Sequence, residues 1–290
     1  MKNLKQHINE ALKINSKSKV IKHQRPKNKK ELQLLINEHF KNLDSIVLDL
    51  TDIDTDLIID MSCLFEQFSY EQHYSFKIID VTGWDVSNVE DMSRIFANLF
   101  TVEEIKGLHT WNMKNVKNAS GMFQECEMLR ELDLSKWEMP KVEKLYNCFE
   151  NCETISKINI SGWNCQNLLN FNSMFYGCKE LEEIIGLNEI GDVSKCDSFI
   201  FMFWGCEWLK KIDISKWDIS SCDDTSHMFE MCFKLKEVNM PPLIGDISTN
   251  NMFLDCRQLQ KIQNIESWNL NSFYNDIFAN CNKLPDPSWY

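Results

Sequence analysis

The sequence predicts an α/β repeat protein, a solenoid in which each unit of about 26 residues supplies a strand and a short helix or 3₁₀ turn. Two observations lead to this class. An F-x-x-C motif recurs along most of the chain, and a tryptophan usually precedes its phenylalanine by ten or twelve residues. In most units a short L-x-L or I-x-I segment, with the period of a half-buried strand, precedes the tryptophan.

The N-terminal residues differ from the rest in charge. Residues 1–44 carry a net charge of +7, whereas the remainder carries −19. We therefore divide the chain into a basic N-terminal cap or docking segment, 1–45, and a solenoid of about nine repeats, 46–290. Within the cap, residues 28–40 predict a helix with an Asn28–Glu31 capping box and an apolar stripe. Leu4, Ile8 and Leu12 also share one helix face, and residues 19–23 fit a strand.

The repeat itself is regular. Its phenylalanines stand 24 to 28 residues apart: Phe96, Phe123, Phe149, Phe175, Phe203, Phe229, Phe253 and Phe278. Cysteines follow the last seven by three residues: Cys126, Cys152, Cys178, Cys206, Cys232, Cys256 and Cys281. Because a solenoid places equivalent side chains at the same depth, we expect ladders of phenylalanine, tryptophan and cysteine in the core. Cysteine fits such a ladder as a small hydrophobe.

The two ends of each unit suggest different local structures. In "LRELDLSKW" (129–137) the L-x-L part predicts a strand with one inward face. The F-x-x-C-x-x-L arm has apolar residues at i, i+3 and i+6, which fits a short helix or 3₁₀ turn. Three units vary the strand: "IKGLHTW" (105–111), "IIGLNEI" (184–190) and "IQNIESW" (262–268). There a glycine or asparagine separates the apolar residues, which predicts a bend or bulge. Residues 43–65 fit a degenerate first repeat.

Residues 84–96, "WDVSNVEDMSRIF", carry a family resemblance. With the recurring M-F-x-x-C-x-x-L they resemble the BspA-like (Treponema-type) leucine-rich repeats, especially the longer variant of mycoplasma and gut-bacterial surface proteins. The resemblance covers about 47–284. It implies a curved, right-handed leucine-rich-repeat solenoid that acts in adhesion or protein binding.

Composition excludes several functional classes. The acidic body argues against nucleic acid as a ligand of the solenoid, because it repels phosphate backbones. No apolar run reaches the roughly 18 residues of a membrane span. The N-terminus has no apolar region of a signal peptide, so we expect a cytoplasmic or virion-associated protein rather than a classically secreted one.

The sequence gives no sign of catalysis. The six histidines are dispersed, and no nucleophile elbow, phosphate-binding loop or zincin motif occurs. The neighbours Ser226 and His227 lack a third group to orient them. The twelve cysteines have no zinc spacing, and ladder packing explains seven without disulfides. We expect no enzyme activity, no cofactor and no metal.

The middle residue of each strand pattern is the candidate binding site. These residues point away from the core onto the concave face: Asp80, Asp133, Asn159, Asp213 and Asn239, with Asp49 and Gln263 at the ends. Stacked carboxylates about 5 Å apart repel one another, so an acidic stripe here would suit a basic partner or, less readily, a cation. For the module as a whole we expect a protein ligand, with a glycan as the alternative. The alternative is a solvated stripe that deters edge aggregation. Trp204, Trp208 and Tyr176 either form an exposed patch or pack against neighbouring turns.

These expectations favour a non-catalytic protein-interaction or adhesion module that binds its partner on the concave face. Two alternatives remain open. The protein could be a bacteriophage or prophage virion component, structural or host-attaching, docked through residues 1–45. It could also be an inhibitor that wraps a target protein.

Overall fold

The computed structural model describes residues 24–68, 76–270 and 276–288 and confirms the predicted solenoid. Parallel strands follow one another, each one repeat further along the chain. The strands of this face are β1 (Val47–Asp49), β2 (Ile78–Asp80), β3 (Glu104–Lys106), β4 (Glu131–Asp133), β5 (Lys157–Asn159), β6 (Glu183–Ile185), β7 (Lys211–Asp213), β8 (Glu237–Asn239) and β10 (Lys261–Ile262). A further short pair joins β9 (Ile244–Gly245) to β11 (Asn269–Leu270).

The strands are hydrogen-bonded in three blocks of three: β1 to β3, β4 to β6, and β7, β8 and β10. The last strand of each block belongs to one of the three variant units. The predicted bend is present there, because Gly107, Gly186 and Asn264 all adopt left-handed backbone conformations with φ of 94°, 88° and 62°. A 3₁₀ turn follows each of them, as in Leu108–Thr110. The sheet is therefore interrupted after every third strand.

Two of the variant glycines are also sites of close backbone approach. A Cβ atom on Gly107 would lie 2.5 Å from the Thr82 nitrogen, and one on Gly186 would lie 2.3 Å from the Ser161 Cα. The chain thus passes directly over the end of the preceding strand. Only a residue without a side chain allows both this contact and the left-handed φ.

The F-x-x-C arm, for which the sequence predicts a short helix or 3₁₀ turn, forms consecutive turns. The residues two before and two after the phenylalanine are left-handed, as Asn147 (φ 60°) and Asn151 (φ 55°) are around Phe149. This alternation prevents helical hydrogen bonding and turns every second N–H toward the next repeat. Phe149 donates to the Met174 carbonyl at 2.9 Å, and Asn151 donates to the Tyr176 carbonyl at 2.7 Å.

A second ladder of single-residue bridges runs along this arm, five residues before each phenylalanine. It joins Asp60, Asp91, Asn118 and Lys144 in one series, and Asn170, Ser198, Asp224 and Ser248 in another. The interruption lies between Lys144 and Asn170. It therefore falls between β4 and β5, within a block of the strand face.

The aromatic ladders are present as predicted. Trp111 and Trp137 stack with ring centroids 6.1 Å apart, and Phe149 and Phe175 stack at 5.4 Å. Phe65 of the degenerate first repeat stacks on the next phenylalanine at 5.3 Å, which confirms that residues 43–65 form a repeat. These residues belong to one continuous hydrophobic core.

The cysteine ladder has a role beyond packing. In each of its seven positions the thiol donates to the carbonyl of the phenylalanine in the preceding repeat at 3.0 to 3.2 Å. Cys178, for example, bonds to the Phe149 carbonyl, which also accepts the Cys152 N–H. Cysteine therefore combines a small apolar side chain with a weak donor, which an aliphatic residue could not supply.

Helix α1 (Lys29–Lys41) precedes the first repeat, as predicted. The Asn28 side chain caps it by accepting the Glu31 N–H at 3.1 Å, and Leu32 and Ile36 are buried in the solenoid core. The Leu4–Leu12 stripe and the strand over 19–23 lie outside the described residues. In the part that the structure describes, no helix has the length and apolar composition needed to cross a membrane.

Basic groups fix this segment to acidic residues of the first repeat. Arg25 pairs with Asp56, Lys29 with Asp60 at 3.7 Å, and His39 with Asp52 at 2.8 Å. Residues 44–62 contain six aspartates and no lysine or arginine. The basic N-terminal segment and the acidic first repeat are thus paired with each other within the molecule.

Candidate functional site

The predicted site residues occupy the third position of their strands and point outward, on what we call the strand face. Asp133 and Asp213 are exposed, and Asp80, Asn159 and Asn239 are half-buried. Each lies between two inward-facing apolar residues, as the I-x-I pattern predicts. The structure therefore places all five on one surface.

The stripe that these residues form is not a continuous row of carboxylates. Asp80 stands opposite Asp49 on one side but opposite Lys106 on the other. Further along, Asn159 stands opposite Ile185. Lys106 and Ile185 belong to the variant units, which the I-x-I pattern does not include. The expected repulsion between stacked carboxylates is confined to Asp49 and Asp80.

The acidic residues of the stripe also stabilise turns. Asp133 Oδ1 accepts the Ser135 N–H at 3.1 Å, and Asp213 Oδ1 accepts the Ser215 N–H at 3.0 Å. Hydrogen bonds from the Ser135 side chain and backbone lower the pKa of Asp133. The pKa of Asp213 is also lowered, because hydrogen bonds from Ser215 and others outweigh the opposing effect of burial. A D-x-[ST] spacing is the sequence signal for these turns.

A second outward column, the first residue of each strand, carries alternating charges. From β4 onward it reads Glu131, Lys157, Glu183, Lys211, Glu237 and Lys261. Neighbours pair across the strands, with Lys157–Glu183 and Lys211–Glu237 both at 2.9 Å. The alternation fails at the first sheet interruption, where Glu104 of β3 precedes Glu131 of β4. Within the described ranges neither of these two glutamates takes part in an ion pair.

Both sheet interruptions open into clefts on the strand face. Cleft 1, between β3 and β4, has a volume of about 560 Å³. Cleft 2 extends from the gap between β6 and β7 back over β5 to Glu131 of β4 and has a volume of about 820 Å³. The core is slightly more accessible at their floors than elsewhere on the strand face. In cleft 1, Ile105 is 8% exposed and Leu132 is 6% exposed, whereas Ile79 in the middle of the first block is fully buried. In cleft 2, Ile184 is half-buried.

The two clefts are built partly from equivalent residues. Asp133 lines cleft 1 and Asp213 lines cleft 2, each on the first strand after the interruption. On the opposite side Glu104 corresponds to Glu183. The other charged groups differ: cleft 1 has Glu131 where the equivalent residue of cleft 2 is Lys211, and Lys157 and Lys210 also line cleft 2. Two of the five predicted site residues thus lie at the clefts, which the sequence pattern did not reveal.

The aromatic side chains of the F-x-x-C arm mostly pack on one another. Tyr176 and Trp204 stack with ring centroids 4.5 Å apart, which agrees with the expectation of packing between neighbouring turns. Trp208 is 42% exposed, and the Lys234 ammonium lies 2.8 Å from its ring centroid. The tryptophan and lysine form a cation–π pair at the surface.

The side chains that could serve as catalytic groups, Ser226 and His227, form hydrogen bonds to other side chains. The Ser226 hydroxyl bonds to the Ser248 hydroxyl, and the neighbouring His227 ring bonds to Glu230. In residues 24–68, 76–270 and 276–288 no three His, Cys, Asp or Glu side chains are arranged to hold a metal ion. The cysteines are free thiols, and all but Cys63 are buried.

Comparisons with known proteins found structural neighbours and a family match. A leucine-rich repeat protein from Eubacterium ventriosum, solved by crystallography, is 16% identical with a TM-score of 0.45, over 74% of this chain and 62% of its own. The TLR13–ssRNA13 complex is 14% identical with a TM-score of 0.34, over 89% of this chain and 37% of its own. The chain thus spans less than two thirds of either structure. No curated protein matches the sequence. A family model matches residues 35–158 and 144–240, and the chain therefore belongs to the family described as "Mycoplasma protein of unknown function, DUF285".

Proposed function

We propose that the protein is a non-catalytic recognition module that binds a polypeptide partner on the strand face, at clefts 1 and 2. The observation that carries this proposal is the slight accessibility of aliphatic side chains at the floor of both clefts, beneath charged rims: Ile105 is 8% exposed in cleft 1, and Ile184 is half-buried in cleft 2. Protein interfaces combine an apolar centre with a polar rim in the same way. Elsewhere on the strand face the core is covered.

The charges of the clefts favour a basic partner. Most lysines of this surface are already paired with glutamates, as in Lys210–Glu182 at 2.6 Å. The carboxylates of Glu104, Glu131, Asp133 and Asp213 form no ion pair within the described part of the chain. An excess of unpaired negative charge steers a cationic partner toward the clefts.

The division into a cap, 1–45, and a solenoid, 46–290, is part of the proposal. Arg25, Lys29 and His39 contact the first repeat, which supports a cap rather than a docking head for these residues. Adhesion and target inhibition would use the strand face, whereas a virion component would dock through residues 1–45. They differ in the identity of the partner.

The test is capture of partners from the native source with the full chain and with a D133N/D213N double variant. Asparagine keeps the side-chain oxygen that accepts the turn N–H, so these substitutions remove charge while preserving the fold. A D85N/D192N variant is the matched control. Asp85 and Asp192 make the same kind of turn, with Ser87 and Ser194, outside both clefts.

We expect the cleft variant to bind its captured partner at least tenfold more weakly and the control to bind it normally. Equal binding by all three proteins would show that the clefts are not the site. Equal loss in both variants would point to a general effect of negative charge, and would also contradict the proposal.

A further inference from the structure

We infer that the protein has a further binding site, which takes a carboxylate group through the guanidinium of Arg94. The site, which we call the arm pocket, is a cavity of about 290 Å³ on the surface formed by three consecutive F-x-x-C arms. Its lining residues are Ser93, Arg94, Asn118, Ser120, Gly121, Gln124, Tyr146 and Asn147, of which Arg94 is the only charged one. The pocket shares no lining residue with clefts 1 and 2, so this inference is independent of the proposed function.

Arg94 differs from the other three arginines of the chain. Arg25, Arg130 and Arg257 have side chains that are more than half exposed, and each forms an ion pair with an aspartate or a glutamate. Arg94 is half-buried, and it forms no ion pair within residues 24–68, 76–270 and 276–288. Removing a cation from water without supplying a counter-ion is unfavourable. An anionic ligand would supply the missing partner.

The local sequence explains why Arg94 has no carboxylate partner. Two repeats further along, Asn147 at the equivalent position donates a hydrogen bond to Glu150, three residues later. In the repeat of Arg94 the place of Glu150 is taken by Ala97, which has no acceptor. The Arg94 Nη1 donates instead to the Gln124 Oε1 in the next repeat. Because Gln124 is neutral, this hydrogen bond orients the guanidinium without neutralising its charge.

The arm pocket leaves room for the arginine and for a ligand. A Cβ atom on Gly121 would lie 3.1 Å from the Arg94 Cγ, so the glycine gives space to the arginine stem. In the part of the chain that the structure describes, one of the five guanidinium N–H groups has a partner, the Gln124 oxygen. Tyr146 and Asn147, one repeat beyond Gln124, add a hydroxyl and an amide to the lining. The pocket thus combines an unpaired cation with several neutral hydrogen-bonding groups.

A carboxylate suits these groups better than a dianion does. The planar guanidinium can donate two parallel hydrogen bonds to the two oxygens of a carboxylate. Two carboxylates stand behind the lining: Asp91 accepts the Asn118 amide at 3.2 Å, and Glu150 accepts the Gln124 amide at 2.5 Å. They would repel a doubly charged anion more strongly than a singly charged one. Tyr146 is 39% exposed, and its ring offers a surface to an apolar group beside the carboxylate.

The experiment follows the Nε–Hε signals of the four arginines by ¹⁵N NMR of the full chain, at constant pH and ionic strength. Benzoate, blocked glutamate (N-acetylglutamate methylamide) and sulfate are titrated in separately. We expect the Arg94 signal to shift saturably with the two carboxylates, while the signals of Arg25, Arg130 and Arg257 act as internal controls. Tighter binding of benzoate would identify a free aromatic acid as the ligand, and tighter binding of blocked glutamate would identify an acidic side chain of a partner.

Substitutions of Arg94 test its role as the anchor. In R94Q both carboxylates should bind at least about tenfold more weakly, as measured on the backbone amide signals of Ser120 and Gly121, because the charge-assisted hydrogen bonds are lost. R94K keeps the charge but not the planar fork of donors, and its affinity should fall between those of R94Q and the unsubstituted protein. R130Q is the matched control and should bind normally.

An Arg94 signal that moves no further than the Arg130 signal would overturn the inference, as would equal affinities of R94Q and R130Q. Tighter binding of sulfate than of either carboxylate would show that the ligand class is wrong. If R94Q does not fold, R94K decides the question, and an unchanged affinity in that variant would contradict the role of the guanidinium. The capture experiment with D133N/D213N tests the clefts separately.

Discussion

Replacing Gly107 with alanine tests whether the sheet interruption depends on a close backbone contact. A Cβ atom at this position would meet three backbone atoms of Val81 and Thr82 at 2.5 to 2.7 Å. Backbone atoms cannot rotate away as the end of a side chain can. Crowding of this kind typically costs about 1–3 kcal/mol. The left-handed φ adds about 1 kcal/mol, once the lower entropy of the unfolded alanine chain is included.

Gly83 provides the matched control, because its φ of 91° is nearly the same and a Cβ there would meet nothing within 4 Å. We expect G83A to lower the free energy of unfolding by about 1 kcal/mol and G107A by about 3 kcal/mol. Urea denaturation followed by circular dichroism measures both, and equal m-values would confirm that the comparison is valid. Equal destabilisation by the two substitutions would refute the close contact and, with it, our explanation of cleft 1.

C178A should lower the free energy of unfolding by about 2 kcal/mol, because it leaves a cavity and removes the hydrogen bond to the Phe149 carbonyl. A decrease below about 0.5 kcal/mol would contradict a structural role for this thiol. In native protein at pH 8, Ellman's reagent should find Cys63 the most reactive of the described thiols, although burial raises its pKa too. Burial raises the pKa of Cys126 to about 12, so that thiol should react only on unfolding, and fast labelling of it in native protein would refute its burial. N28A should destabilise the protein by about 1 kcal/mol through loss of the helix cap, and an unchanged denaturation midpoint would show that the cap is dispensable.

The repeat and its core could be predicted because periodicity alone determines which side chains are buried. The spacing of Phe149 and Trp137 from their counterparts is sufficient to place them in stacked ladders. The start of α1 was also predictable, since Asn28 and Glu31 form a local signal that does not depend on tertiary contacts. Such features are encoded in short stretches of sequence.

The clefts could not be predicted, because they depend on contacts between repeats. The glycine of "IKGLHTW" indicated a bend, but not that Gly107 would pass over Thr82 and interrupt the sheet. Likewise, the apolar spacing of the F-x-x-C arm fits a helix as well as it fits turns. The left-handed residues that distinguish the two, such as Asn147, are recognisable only in part from their residue type. The hydrogen bond from each ladder thiol to a phenylalanine carbonyl could not be predicted either, because it joins residues of different repeats.

The positions at which the strand ladder and the bridge ladder are interrupted affect how the protein unfolds. On the strand face the interruptions lie after β3 and β6, whereas the missing bridge between Lys144 and Asn170 lies after β4, one repeat beyond the first interruption and two repeats before the second. The arms stay hydrogen-bonded even at the missing bridge, because Phe149 donates to the Met174 carbonyl and Asn151 donates to the Tyr176 carbonyl. No cross-section of the solenoid therefore interrupts both faces at once. Mechanical or thermal unfolding should therefore not begin preferentially at the boundaries between the three-strand blocks. We expect the solenoid to yield in one cooperative step instead of shedding three-strand pieces in turn.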